Sequence, residues 1–124
     1  MIPKFRARDS RGNWHVGLLT FMFGQYAIVN ESDENTVYLI DKETIGQFIG
    51  LKDKNGVEIF EGDVLYYIPF ESHINDSIVV FEKGSFCTKM LRNGKLTSVK
   101  FIDSEEYEVI GNIHENPELL EVAE

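Results

Sequence analysis

Cysteine is almost missing: Cys87 is the only one. The chain can therefore form no internal disulfide, and this usage fits a reducing compartment. Cys87 lies in Phe86-Cys87-Thr88, in a stretch of strand character where no recognisable motif places a base beside it. It reads as a small, half-buried apolar side chain and not as a nucleophile. Long hydrophobic runs are missing as well. The longest uncharged stretch, Trp14 to Asn30, is interrupted by His15, Gly17, Thr20, Gly24 and Gln25, which makes it too polar for a membrane helix. The opening Met1-Ile2-Pro3-Lys4-Phe5-Arg6 has neither the apolar core nor the small-residue cleavage site of a secretory signal, giving the expectation of a cytoplasmic protein. No long window carries a 3.6-residue apolar period, and there is no internal repeat, low-complexity tract or linker rich in proline or serine.

What is present suits a folded domain. The chain has 124 residues, 43% of them apolar and 12% aromatic, enough for a core and well outside the disordered range. Its net charge of −9 is unevenly spread. Residues 1–30 carry +3, 31–82 carry −9, 83–100 carry +5 with no acid, and 101–124 carry −8 with no base. The molecule is a charge mosaic.

Apolar residues alternate by two between glycine-containing turns, which predicts an all-β protein. Phe5 and Ala7 alternate with Arg6 and Arg8, a turn follows at Asp9–Asn13, and Trp14 opens a long strand. That strand is apolar on both faces near its end, so both faces are expected to be covered. Tyr26–Val29 and Thr36–Ile40 are further strands around a polar loop at 30–35. Glu43–Ile49 is read as extended because Thr44, Ile45 and Ile49 are β-branched. Asn55-Gly56 and Asn93-Gly94 predict type I′ hairpin turns. Val57–Ile59, Val64–Ile68, Ser77–Glu82, Ser85–Leu91, Lys95–Ile102 and Glu106–Ile113 complete the strand set. Short strands joined by tight turns must hide their edges, and a small SH3-like barrel or roll is the simplest closed form for the C-terminal part. Additional N-terminal β strands precede it, with any boundary between sub-units 1–50 and 51–124 near Gly50. Asn116-Pro117-Glu118 predicts a short C-terminal helix.

Three blocks carry a family resemblance: Lys4-Phe5-Arg6-Ala7, the string GQFIGLKDKNGVEIFEGDVL from Gly46 to Leu65, and YEVIGNIHENPELLE from Tyr107 to Glu121. In that order the sequence resembles the YopX family of phage and prophage proteins. The resemblance implies an SH3-type barrel around the second and third blocks and a bacterial or phage setting. It implies no catalytic residue, cofactor or substrate. Arg8 replaces the aromatic that often follows the first block, and the loops 30–35 and 70–77 have no counterpart.

The candidate sites divide unequally. Asp53, Asn55 and Gly56 lack the further oxygen ligands of a calcium loop and read as a hairpin turn. Glu61-Gly62-Asp63 reads as a turn closed by the Asp63 side chain on nearby amides. His15, His73 and His114 stand in no metal-ligand spacing. No catalytic, cofactor-binding or metal site is assigned. The stretch 83–100 offers Lys83, Lys89, Arg92, Lys95 and Lys100 as a candidate binding patch. Nucleic acid is one partner for it, but the acidic flanks oppose approach to phosphate. The preferred reading is a non-enzymatic module that binds a protein partner or forms a homo-oligomer through complementary patches.

Overall fold

The computed structural model describes residues 3–70 and 72–120 and contains eleven short strands and single turns of 3-10 helix, with no α-helix among the described residues. The chain divides into two compact units, Met1–Phe48 and Ile49–Glu124. Expected and observed fold class agree: the protein is mainly β, in antiparallel sheets.

In the first unit, β1 (Phe5–Arg8), β2 (Trp14–Met22), β3 (Gln25–Asn30) and β4 (Val37–Leu39) lie in the order β4-β3-β2-β1, and the start of β5 (Gly46–Lys52) pairs with β1. The alternation around Ala7 is used as the pattern predicts. Ala7, Ile28 and Ile40 form the buried core, with Phe5, Leu19, Tyr38 and Ile45 packed on it. Gly17 permits the close approach of β2 and β3, since a Cβ there would lie 1.8 Å from the Val29 carbonyl oxygen. The segment expected to be extended from Glu43 begins instead as a 3-10 turn, Lys42–Thr44. The Asp41 carboxylate accepts the Glu43 N–H at 3.0 Å, and this cap outweighs the β-branched preference of Thr44.

In the second unit the rest of β5 neighbours β6 (Glu58–Phe60), while β7 (Asp63–Tyr67), β8 (Ser77–Glu82), β9 (Ser85–Met90), β10 (Leu96–Ser98) and β11 (Tyr107–Asn112) form a sheet in the order β10-β9-β8-β7-β11. Ile59, Leu65 and Val79 are its buried core, with Ile49, Leu51, Tyr107 and Val109 around them. Each such side chain contributes roughly 1.5–3 kcal/mol when fully buried. The closed SH3-like barrel is not formed: β10 and β11 stand at opposite ends of an open sheet. The strand expected over Lys95–Ile102 stops at Ser98 and turns into a 3-10 turn, Val99–Phe101, too short to reach across and close the sheet. The short C-terminal helix is one 3-10 turn, Pro117–Leu120; Glu121 lies outside the described residues.

The turns depart from the Asn-Gly expectation in an instructive way. Neither Asn55 nor Asn93 has positive φ; the residue pairs that do are Phe23-Gly24 and Lys83-Gly84. These are the two-residue hairpin loops, closing the pairs Met22↔Gln25 and Glu82↔Ser85, and positive φ at both central residues is the type I′ requirement. At Asn55 an aspartate has taken over. Asp53 N–H donates to the Val57 carbonyl and Gly56 N–H to the Asp53 carbonyl, while Asp53 Oδ1 accepts from Asn55 N at 2.8 Å and Val57 N at 2.9 Å. Asp9 builds the same turn in the first unit, accepting from Arg11 N and Asn13 N.

Candidate interaction surface

The conspicuous carboxylates act on the backbone. Asp53 is buried, and its Oδ2 accepts the Val109 N–H at 2.9 Å, so one carboxylate ties the β5–β6 turn to β11. Asp63, also buried, accepts the Phe60 N–H at 2.8 Å, as its turn predicts. Asn112 Oδ1 accepts from His114 N and Glu115 N, and Asn112 N–H in turn donates to Asn116 Oδ1. The most recognisable residues of the central and closing sequence blocks thus hold turns and strand ends together.

The histidines stay apart. His15 Nε2 lies 2.8 Å from Asp9 Oδ2, and its ring stacks on Tyr38 with centroids 3.7 Å apart. The Asp9 carboxyl is lowered to about 2, first by the His15 contact and then by the Asn13 amide. His73 Nδ1 lies 2.8 Å from Asp76 Oδ2, beside the Tyr66 ring. Asp76 is pushed up, because burial outweighs that contact. Tyr67 is raised by the Glu106 charge and Tyr107 by burial, so both phenols keep their protons at neutral pH. Cys87 is buried, with its Sγ 3.8 Å from the Glu82 carbonyl oxygen. Among the described residues no group of three or more His, Cys, Asp or Glu side chains is placed to hold a metal ion.

The basic patch is divided by the topology. Lys83 sits at the β8–β9 loop, and Lys100, just after β10, returns to that end. Arg92 and Lys95 lie in the connection at the other end of β9, a strand of six residues, about 20 Å long at the usual rise. Lys89, which pairs with Leu96, lies on the Arg92 and Lys95 side, and its Nζ is 3.4 Å from Glu82 Oε2. The cations therefore fall at the two ends of β10, Lys83 and Lys100 at one and Lys89, Arg92 and Lys95 at the other, instead of forming one cluster.

Sequence reasoning did not single out the most unusual surface. Both faces at the end of β2 were expected to be covered, yet Phe21 is 61% exposed, Phe23 89%, and Leu18 and Tyr26 are also exposed. Phe21 and Tyr26 pair edge to face with centroids 5.1 Å apart. Phe23 stands at the tip with φ +53, a conformation bulky residues rarely adopt. On the opposite face of the sheet the rows Leu18-Val29-Val37 and Thr20-Ala27-Leu39 run from β2 to β4, and Leu18, Val37 and Leu39 are exposed. The available signal was the charge-free run from Trp14 to Asn30. Its lack of charge was legible, but its exposure was not.

Comparisons with known proteins agree with this architecture. Residues 4–121 match the family model described as YopX protein. Protein EF1440 from Enterococcus faecalis, a solved crystal structure, is similar with 32% identity and a TM-score of 0.64, over 98% of this chain and 99% of that one. Among curated proteins none matches.

Proposed function

The chain belongs to the YopX family, and from that premise we propose that it is a non-enzymatic protein-interaction or self-assembling module of a phage or prophage setting. The observation that carries this reading is the charge-free aromatic end of the β2–β3 hairpin, where Phe21 and Tyr26 are exposed and Phe23 stands at the tip. Solvent does not favour an aromatic ring held at positive φ and fully presented; such local strain marks positions kept for contact. Aromatic anchors of this kind dominate protein interfaces. The polar groups support the same reading, since the side chains of Asp53, Asp63 and Asn112 serve the backbone, and His15 and His73 each pair with one aspartate.

The test is capture. Immobilised protein is incubated with host lysate and with a second, differently tagged copy, and Phe21→Ser/Phe23→Ser is run beside it. Specific capture by the native chain that the double variant loses is the expected outcome; equal capture by both, or none by either, overturns the reading. The nucleic-acid alternative through Lys83, Lys89, Arg92, Lys95 and Lys100 has less support, because β9 separates those cations and Lys89 is engaged by Glu82.

A further inference from the structure

β4 and β10 each stand at one end of a sheet. In β4, Ile40 N–H donates to the Tyr26 carbonyl at 3.1 Å and Asn30 N–H to the Thr36 carbonyl at 2.9 Å. Antiparallel alternation then directs Tyr38 at β3 and both backbone groups of Val37 and Leu39 outward. Val37 is 38% exposed and Leu39 45%. In β10, Met90 N–H donates to the Lys95 carbonyl at 2.9 Å, so Thr97 faces β9 while Leu96 and Ser98 turn their backbone groups outward. Each edge therefore offers two residues, spaced by two, with donors and acceptors in the same order.

Their flanks carry opposite charge. The approaches to β4 hold Asp33 and Glu34 on one side and Asp41, Lys42 and Glu43 on the other, all exposed and net acidic; those of β10 hold Arg92 and Lys95 on one side and Lys100 on the other, also exposed. Exposed edges are commonly protected by lysine, proline or inward charge. β4 carries none of these within the strand: its residues are Val37, Tyr38 and Leu39.

We propose that the chain self-assembles by strand addition, β4 of one copy pairing antiparallel with β10 of another, Leu39 opposite Leu96 and Val37 opposite Ser98. This deepens, and rests on, the module reading above. In that register the outward amides and carbonyls of the four residues satisfy one another, as in other strand-addition contacts. Glu34 then lies beside the partner's Lys100, and Asp41 and Glu43 beside the partner's Lys95 and Arg92. Like edges are disfavoured by net charge: two copies of β4 bring together net-acidic flanks, and two copies of β10 basic ones. The two surfaces differ, so the contact is heterologous.

The test is sedimentation velocity at tens of micromolar protein, in low and high salt. The native chain associates at low salt and loosens at high salt. Glu34→Lys/Glu43→Lys spoils the β4 flank, Arg92→Glu/Lys95→Glu spoils the β10 flank, and each alone loses roughly tenfold or more in association. Mixed in equal amounts they associate with each other, because the first retains a native β10 and the second a native β4. That recovery also shows that both variants are folded. Leu39→Pro removes an outward amide without touching the β3 ladder, and it abolishes association. A native chain that stays monomeric, variants that associate like it, or a mixture that remains monomeric overturns the proposal. If capture through Phe23 persists in that event, only the strand pairing falls and the module reading stands.

Discussion

Two aspartates each meet one histidine at 2.8 Å and respond in opposite directions. Asp9 accepts from two backbone amides as well as His15, and these bonds to its charged form outweigh burial. Asp76 is buried with its Oδ1 lacking a partner, and desolvation wins. The signs follow from linkage. A lowered acid stabilises the fold above its ordinary value of 3.8 and loses that contribution as pH falls through about 2. A raised acid is a liability wherever it is ionised in the folded protein, and acidification relieves it. Thermal melts should therefore show Asp9→Asn less stable than the native chain at neutral pH, with the gap closing between about pH 4 and pH 2. Asp76→Asn should be more stable at neutral pH, with its gain shrinking on acidification. Asp53 sets a different scale, because Asn55, Val57 and Val109 all donate to its carboxylate. Asp53→Ala leaves those amides without a partner and should cost about 3 kcal/mol in a denaturant titration. Of these roles, the turn closure by Asp63 and the turn position of Asp53 were legible from side-chain chemistry and glycine spacing. The bond from Val109 to Asp53 joins residues 56 apart, and no local pattern encodes it.

The strands were legible as elements because alternation by two is a local signal, and Phe5–Arg8, Trp14–Met22 and Ser77–Glu82 appear nearly where it places them. Turn type was less legible. Asn-Gly favours type I′ geometry, but at residues 53–57 the Asp53 carboxylate organises a different loop, while Phe23-Gly24 adopts the geometry that sequence preference assigns poorly to phenylalanine. Replacing Phe23 with asparagine relieves that conformational cost and should raise stability by about 1 kcal/mol in thermal or chemical unfolding. In the capture experiment the same variant should bind less. Opposite movement of stability and binding is what a strained contact residue predicts; a loss of both would mean that Phe23 serves the hairpin itself. At Gly17 strand pairing tolerates no such change. A methyl group there meets the Val29 carbonyl oxygen, so Gly17→Ala must separate β2 from β3 and should cost about 2–3 kcal/mol in the same unfolding measurement.

At the scale of the molecule, alternation by two disclosed an all-β chain and the distribution of charge a mosaic, but sheet closure and patch geometry were beyond them. Whether a meander closes depends on how far its last strands extend, and β10 ends at Ser98 where alternation alone would continue to Ile102. Whether five cations form one surface depends on the direction of β10, which returns Lys100 toward Lys83 and leaves Arg92 with Lys95. This division bears directly on partner class. Binding to a nucleic acid scales with the phosphates neutralised together, and it falls steeply with salt for that reason. Here the cations sit in two small groups on a chain of net charge −9, whose overall field repels phosphate. Single- and double-stranded probes should therefore show no mobility shift even at low salt. A shift that weakens with salt and disappears in Lys83→Glu/Lys100→Glu would assign that end of the β8–β9 hairpin to nucleic acid. Strand addition through β10 makes the contrary demand, since its Arg92→Glu/Lys95→Glu variant must lose self-association whether or not a probe is present.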